Sequence, residues 1–492
     1  MKNKILLLIA SISMMLSSCS KDYLQLYPNS SVDGNAVFSS VEGAWGAING
    51  IHRSMYKQYY DASCGGVPGL YLHTEVLADD IILSTKGRGF HVDVYQWLYH
   101  NLGTTTVSRF PWQMIYQVIS NANAIINHID GIVGDVNELN AIKGEALLYR
   151  AWGYHQLVQI YGKRYMAGQQ NTQLGVPIYT EVVFVAKARN TVEETYNQIN
   201  SDLDNAITLL EGYSRANKSH MDQSVAKGLK ARVALAQGNW GLAQKFAAEA
   251  RAGYKFMSAQ QQLEGYNDYT NPEYMWGSHV QSDQTLYWYS YYAYMACNFT
   301  TRDIICIPKG LYNKISDTDV RKNFWWPAAG NKGPKPEMIN PTLFPTNYMN
   351  SKFLSAGPGD ARGDFPYMRT AEMYLIEAEA YARQGKNTEA QNVLFLLASN
   401  RDFKYTKSTK TDAALLDEII LQRRVELWGE GFRWFDLKRM NVPMRRELGN
   451  GKDGGHDLSL CGFEKVEASD SSWEWAIPNQ ELESNPYMAQ NP

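Results

Sequence analysis

Apolar positions recur at three- and four-residue steps over much of the chain, the period of a helix with one buried face. Val41, Ala44, Ile48, Ile51 and Met55 form the first stripe, and Ser39-x-x-Glu42 reads as its capping box. Pro111 is expected to open a second helix, because a proline at the first helical position gives up only a hydrogen bond that was already unmade. Trp112, Ile115, Ile119, Ala122, Ile126 and Ile129 follow as its apolar stripe, and 138–161, ending at Gly162, supplies a partner helix. Thr191-x-x-Glu194 is a second capping box, followed by Tyr196, Ile199, Leu203, Ile207 and Leu210. The segments 225–252, 372–397 and the pair 415–427 and 432–440 complete the helical pattern.

One of these segments repeats another. Ala378, Tyr381, Gly385 and Ala390 follow Ala231, Ala234, Gly238 and Ala243 at a constant offset of 147 residues. In each copy a helical run ends near a glycine, turns, and re-enters a run whose early alanine lets two helices approach closely. The pattern resembles the tetratricopeptide repeat. Since one such pair cannot bury its own apolar face, the pairs should stack. The fold class is therefore mainly α, with about four helix pairs packed against an irregular, loop-rich lobe with short strands.

That lobe is expected where the helical period fails, at 56–110 and over 254–366, the latter rich in Asn, Pro and Gly. Long loops in compact proteins are where binding usually lies. The chain carries 32 Tyr and 13 Trp against 16 Phe, so most of its rings have a polar edge that suits a partly wet surface. Positions 287–294 hold six rings in eight residues: Tyr287, Trp288, Tyr289, Tyr291, Tyr292 and Tyr294. As strand or helix this stretch would show rings on more than one face, so some should be exposed. Trp276, Trp325 and Trp326 lie in the same lobe, and Trp97, His100 and Asn101 in the first irregular region. Sugars have apolar C–H faces that stack on flat rings and hydroxyls that need amide, carboxylate or guanidinium partners. Ring density and loop position mark Trp97, Asn101, Tyr287, Trp288, Tyr291 and Tyr292 as candidate ligand residues. The competing reading is an aromatic interface between lobe and helices.

The chain begins with Lys2 and Lys4 ahead of an apolar run over 5–16, too short to span a bilayer but suited to a secretory signal. Leu16-Ser17-Ser18-Cys19 resembles the bacterial lipobox, in which the cysteine becomes an acylated N-terminus, so Cys19 is the expected lipidation site. Residues 1–18 are then a signal peptide and 19–38 a lipidated tether. Cys64, Cys297, Cys306 and Cys461 have no paired spacing, and no zinc site or disulfide pairing can be read from them. A net charge of -3 gives no electrostatic reason for a nucleic-acid partner.

Catalytic signatures are scarce. Gly449-x-Gly451-x-x-Gly454 spells a dinucleotide fingerprint without its strand and helix. Glu372, Glu377 and Glu379 are expected to be solvated or paired with Arg383. His73, Glu75, Asp79 and Asp80 fit no metal template. No catalytic residue, metal or cofactor is assigned, although the two carboxylates of a glycosidase need not be close in sequence.

Arg423-Arg424-x-Glu426-Leu427 and Gly431-x-Arg433-Trp434-x-Asp436-Leu437-x-Arg439 together resemble the C-terminal signature of the SusD/RagB family. The run Asn121-Ala122-Asn123, the run from Arg150-Ala151 to Tyr161-Gly162, and the ending Ile477-Pro478 to Asn485-Pro486 agree in order. The resemblance implies a SusD-like N-terminal region over 39–253, the aromatic-rich lobe over 254–366, and a C-terminal region over 367–492. It further implies a lipid-anchored protein on the outer face of the outer membrane, acting as the lid of a SusC-like TonB-dependent transporter. In that role the chain would capture oligosaccharides for import without turnover. A peptide-binding lid of the same build and, more remotely, a surface glycoside hydrolase stay open. The arginines at 423, 424, 433 and 439 are expected to pair with Glu426, Glu430 and Asp436 inside the last hairpin.

Overall fold

The structure is a computed structural model that describes residues 37–284, 286–299, 304–326 and 346–492. The signal segment, Cys19 and nearly all of the 19–38 tether lie outside these residues.

The long helices are α1 (Val41–Ser54), α2 (Gly66–Leu77), α3 (Thr106–His128), α4 (Val136–Tyr161), α5 (Val192–Leu209), α6 (Gln223–Gln237) and α7 (Trp240–Ala250). After the lobe come α8 (Thr370–Arg383), α9 (Asn387–Arg401), α10 (Asp412–Glu426) and α11 (Arg433–Met440). Short polar side chains start most of them. Thr191 and Glu194 make the expected reciprocal capping box, and Asp135, Asp222 and Asn239 cap α4, α6 and α7. Two starts differ from the sequence reading. The cap of α1 is Ser40, whose hydroxyl accepts from the Gly43 N–H, rather than Ser39. Helix α3 begins a turn and a half before Pro111, capped by Thr105, so the proline sits inside the helix. The loss of its N–H there is offset by a face buried from Val107 to Ile125.

The internal repeat is two helix hairpins. Gly238 ends α6 and Gly385 follows α8, both with φ of 71°, the left-handed geometry that lets a glycine close a helix and reverse the chain. Ala231, Ala234, Ala243, Ala378 and Ala390 are all buried. Helices α3 to α7 pack each on the next, and α7 packs directly on α8, so the stack is continuous although about 120 residues of chain separate α7 from α8. The last pair is not a tight hairpin: α10 lies on α8 and α9, whereas α11 packs against α2. Gly429 and Gly431, at φ of 77° and 88°, turn the chain between them, and a Cβ on Gly431 would run into the Tyr71 ring.

The irregular lobe is held by two-stranded ladders. Strands β1 (Ile82–Leu83) and β3 (Ile305–Cys306) pair antiparallel, as do β2 (Tyr274–Gly277) and β4 (Pro366–Arg369), which closes both ends of the lobe onto α8. One hydrophobic core runs from α1 through the stack into the lobe and the C-terminal tail, with a smaller one under α8, α9 and α10.

The signature arginines have a wider reach than one hairpin. Arg423 does meet Asp436 at 2.7 Å, but Arg424 reaches Asp80 at 2.5 Å and Arg433 reaches Asp79 at 2.6 Å, both just beyond α2. Glu426 takes Arg369, Arg401 and Arg321 at 3.0, 2.9 and 3.1 Å, and Glu430 takes Lys352 at 2.6 Å. The acids of α8 are likewise buried rather than solvated: Glu372 pairs with Arg232 at 2.6 Å, Glu377 with Arg251 at 2.7 Å, and Glu379 with Arg383 and Arg439 at 2.9 and 2.7 Å. Ion pairs between α10, the lobe and α2 make the stack and the lobe one body. The earlier motif works the same way. Arg150 clamps Asp202 through two bonds of 2.8 and 2.7 Å and donates to Asn123 at 2.9 Å, tying α3, α4 and α5.

Candidate functional site

The ring-rich stretch of the lobe divides at Ser290. Residues Tyr287–Tyr289 form a single 3₁₀ turn. Ser290 is extended and caps a short helix, Tyr291–Met295, by accepting from the Ala293 N–H at 3.0 Å. The turn projects its rings outward: Tyr287, Trp288 and Tyr289 are 61%, 42% and 36% exposed. The helix turns its rings inward, because three backbone carbonyls wait there. The Tyr291 hydroxyl donates to Gly429 O at 2.5 Å, Tyr292 to Tyr266 O, and Tyr294 to Ala62 O at 2.9 Å. Tyr291 and Tyr292 are thus interior residues, and the expectation that they face a ligand is corrected.

Trp97 is interior as well. It is 5% exposed, donates to Leu77 O at 2.7 Å, and meets the Trp473 ring edge-on at 5.0 Å. Asn101 is exposed but is turned back onto Trp97 O at 2.9 Å, and backbone bonds at His100 and Gly103 dock its loop on the C-terminal tail. Trp276, Trp325 and Trp326 are buried too. The structure therefore does not gather the six candidates into one site. Tyr287 and Trp288 are exposed, as is Tyr289, and Phe90, 43% exposed, meets the buried Tyr294 ring at 6.1 Å. Trp288 leans on Phe299 with ring centroids 5.2 Å apart. The result is an exposed shelf of three rings on one turn, with Trp288 resting on the buried Phe299.

A second ring-lined surface escaped the sequence reading. A groove of about 930 Å³ runs along α3, between the 177–184 loop and the C-terminal tail. Its rings are Tyr59, Tyr60, Trp112, Tyr116 and Tyr179, interleaved with Gln113, Gln117 and Gln480. Arg109 lies over the Tyr60 ring at 3.8 Å, Tyr116 donates to Pro177 O at 2.8 Å and Trp112 to Glu481 at 3.3 Å. Burial pushes the Tyr59, Tyr60 and Tyr179 phenols up, so they are neutral hydroxyls at physiological pH. Its outer lip is apolar: Val183 and the fully exposed Phe184 line it, flanked by exposed Val182 and Val185. The visible signal was the i, i+4 step from Trp112 to Tyr116 beside Gln113 and Gln117. Of these the sequence reading takes up only Trp112, as part of an apolar stripe, because the other wall comes from chain far away.

The other titratable groups singled out in the sequence for catalysis or metal binding are buried. Glu75 Oε1 accepts the backbone N–H groups of Gly431, Phe432 and Arg433 at 2.8, 2.8 and 3.3 Å, at the start of α11. Burial, with Asp80 adding to it, pushes that carboxyl up to about 7. His73 is fully buried and its ring is pushed down to about 3 by burial. Cys64, Cys297, Cys306 and Cys461 are buried, and burial pushes the Cys64 and Cys306 thiols up to about 12. Gly449 sits in a two-residue strand paired with His456–Asp457, so the glycine triplet is a loop without the helix a dinucleotide needs. Among the described residues no helix is long and apolar enough to cross a membrane.

Comparison with known proteins adds a frame to this geometry. A family model described as "SusD family" matches residues 253–492, and one described as "Starch-binding associating with outer membrane" matches residues 85–235. A SusD-like protein of Bacteroides ovatus is 23% identical, over 89% of this chain and 82% of its own length. A solved SusD-like carbohydrate binding protein of Bacteroides vulgatus superposes with a TM-score of 0.79 at 24% identity, covering 92% of this chain and 97% of that one. The surface glycan-binding protein A of Bacteroides thetaiotaomicron, solved with laminarihexaose, gives 0.68 at 17%, covering 92% and 99%. At these identities the two solved structures speak for the fold.

Proposed function

The chain belongs to the SusD/RagB family, and from that premise we propose that it captures oligosaccharides at the cell surface and passes them to a TonB-dependent, SusC-like transporter without cleaving them. On this reading Cys19 carries the lipid that holds the protein at the outer membrane, facing outward. The observation that carries the reading is the exposed shelf of Tyr287, Trp288 and Tyr289. Three flat rings with polar edges, one of them seated on the buried Phe299, give a sugar C–H faces to stack on. A laminarihexaose complex and a carbohydrate binding protein among the solved structures of this fold support the same ligand class.

A peptide-binding lid is the second reading, and the groove favours it. Arg109, Lys57, Glu181 and Glu481 line it together with Val183 and Phe184, a mixture of charges and apolar side chains that suits an extended peptide. The two readings separate in one experiment. Purified protein is screened against plant, host and microbial glycans and against a peptide library, in parent form and as Trp288→Ala and Tyr60→Ala. Glycan hits lost in Trp288→Ala and kept in Tyr60→Ala support the first reading. Peptide hits lost only in Tyr60→Ala replace it with the second. Shortened products from any glycan would sink the claim that the protein does not turn its ligand over.

A further inference from the structure

We propose that His52, Glu145 and His220 form a binding site for one divalent cation of the zinc class. His52 comes from α1, Glu145 from α4, and His220 from the chain between α5 and α6, so no local spacing announces the set. His220 Nδ1 lies 3.0 Å from Glu145 Oε1, and His52 Nε2 lies 3.8 Å from Glu145 Oε2. One ligating atom from each residue falls within 4.8 Å of the others. Around a tetrahedral zinc, with bonds of about 2.0–2.2 Å, neighbouring ligand atoms are roughly 3.3–3.5 Å apart. The spacings here bracket that value, and small rotamer shifts bring all three atoms onto one centre.

Two further observations point to a ligand. His52 Nε2 is shielded from solvent and faces Glu145 Oε2 at 3.8 Å, too far for a good hydrogen bond. Glu145 is fully buried, and its carboxylate faces the two imidazoles, so an ion would take the place of the proton between His220 and Glu145. The two histidines also line a cavity of about 280 Å³ with Tyr149, Asn49 and Asn217, which has room for solvent or a hydroxyl as a fourth ligand. Two nitrogens and one carboxylate select a borderline cation over calcium or magnesium, which take six or more oxygens. Bound there, the ion would tie α1 to α4 and to the 217–221 turn.

The test is a titration of chelator-stripped purified protein with zinc in competition with a chromophoric chelator. The expected result is one ion per chain, bound with micromolar or tighter affinity, and a rise in Tm that calcium does not reproduce. His52→Ala and His220→Ala should each weaken binding at least tenfold and abolish the Tm rise, with the circular dichroism of the parent retained. His52 is partly exposed at 12%, so that variant should fold. Absence of saturable one-to-one binding, or affinity unchanged in both folded variants, would overturn the proposal.

Discussion

Tyr291 and Tyr287 are the same residue type four positions apart, and what their hydroxyls meet decides their roles. Tyr291 reaches Gly429 O and is buried, while Tyr287 stands 61% exposed. Removing the buried hydroxyl should leave a carbonyl short of its partner: Tyr291→Phe is expected to cost about 1 kcal/mol of stability, read by urea denaturation, with glycan affinity unchanged. Trp288→Ala should do the reverse, leaving stability near parent and weakening glycan binding by about 1 kcal/mol, roughly fivefold. Glu426 belongs with the first kind. It is fully buried against three arginines, so Glu426→Gln strands positive charge in the interior and should cost about 3–5 kcal/mol. Which tyrosines are buried was not legible in the sequence, because ring density marks a region whereas burial depends on carbonyls contributed by residues 62, 266 and 429.

At the scale of elements, the hairpins were legible because their signals are local. A 3.6-residue stripe, a capping side chain and a terminal glycine all lie within one or two turns, and they located α4, α5, the repeat pairs and the box at Thr191. Pro111 misleads because proline is over-represented at the first helical position, whereas here it sits inside α3 on a face that is buried. The reach of the Arg423 to Arg439 signature was equally hidden, since its partners at Asp79, Asp80, Arg369 and Lys352 lie far off in the chain. Gly238 and Gly385 share one turn geometry and little around Gly385 resists a side chain. Gly385→Ala should therefore cost only the positive-φ penalty, about 1 kcal/mol by thermal melting. Gly431→Ala adds a collision with the Tyr71 ring and should destabilise well beyond that.

Over the whole molecule, buried ion pairs set how stability responds to acid. Burial by itself would raise Glu379, Glu426, Glu430 and Asp436, but the arginines beside them outweigh it and hold all four below the ordinary carboxylate range. The unfolded chain binds protons at those groups first, at about pH 4. The stability they confer is complete above about pH 5 and is lost as pH falls through the lower folded values. Melting temperature should fall steeply below pH 4, with stack and lobe unfolding together, since the same ion pairs join them. A lobe that melted first would separate the two parts.

The central claim is that exposed rings on the lobe hold carbohydrate. Its most direct test is calorimetric titration of the purified protein with the best oligosaccharide from the glycan screen, in parent form and as Tyr287→Ala/Trp288→Ala. The account predicts that the double variant folds like the parent and loses at least tenfold in affinity. Undiminished affinity in the folded variant would contradict it.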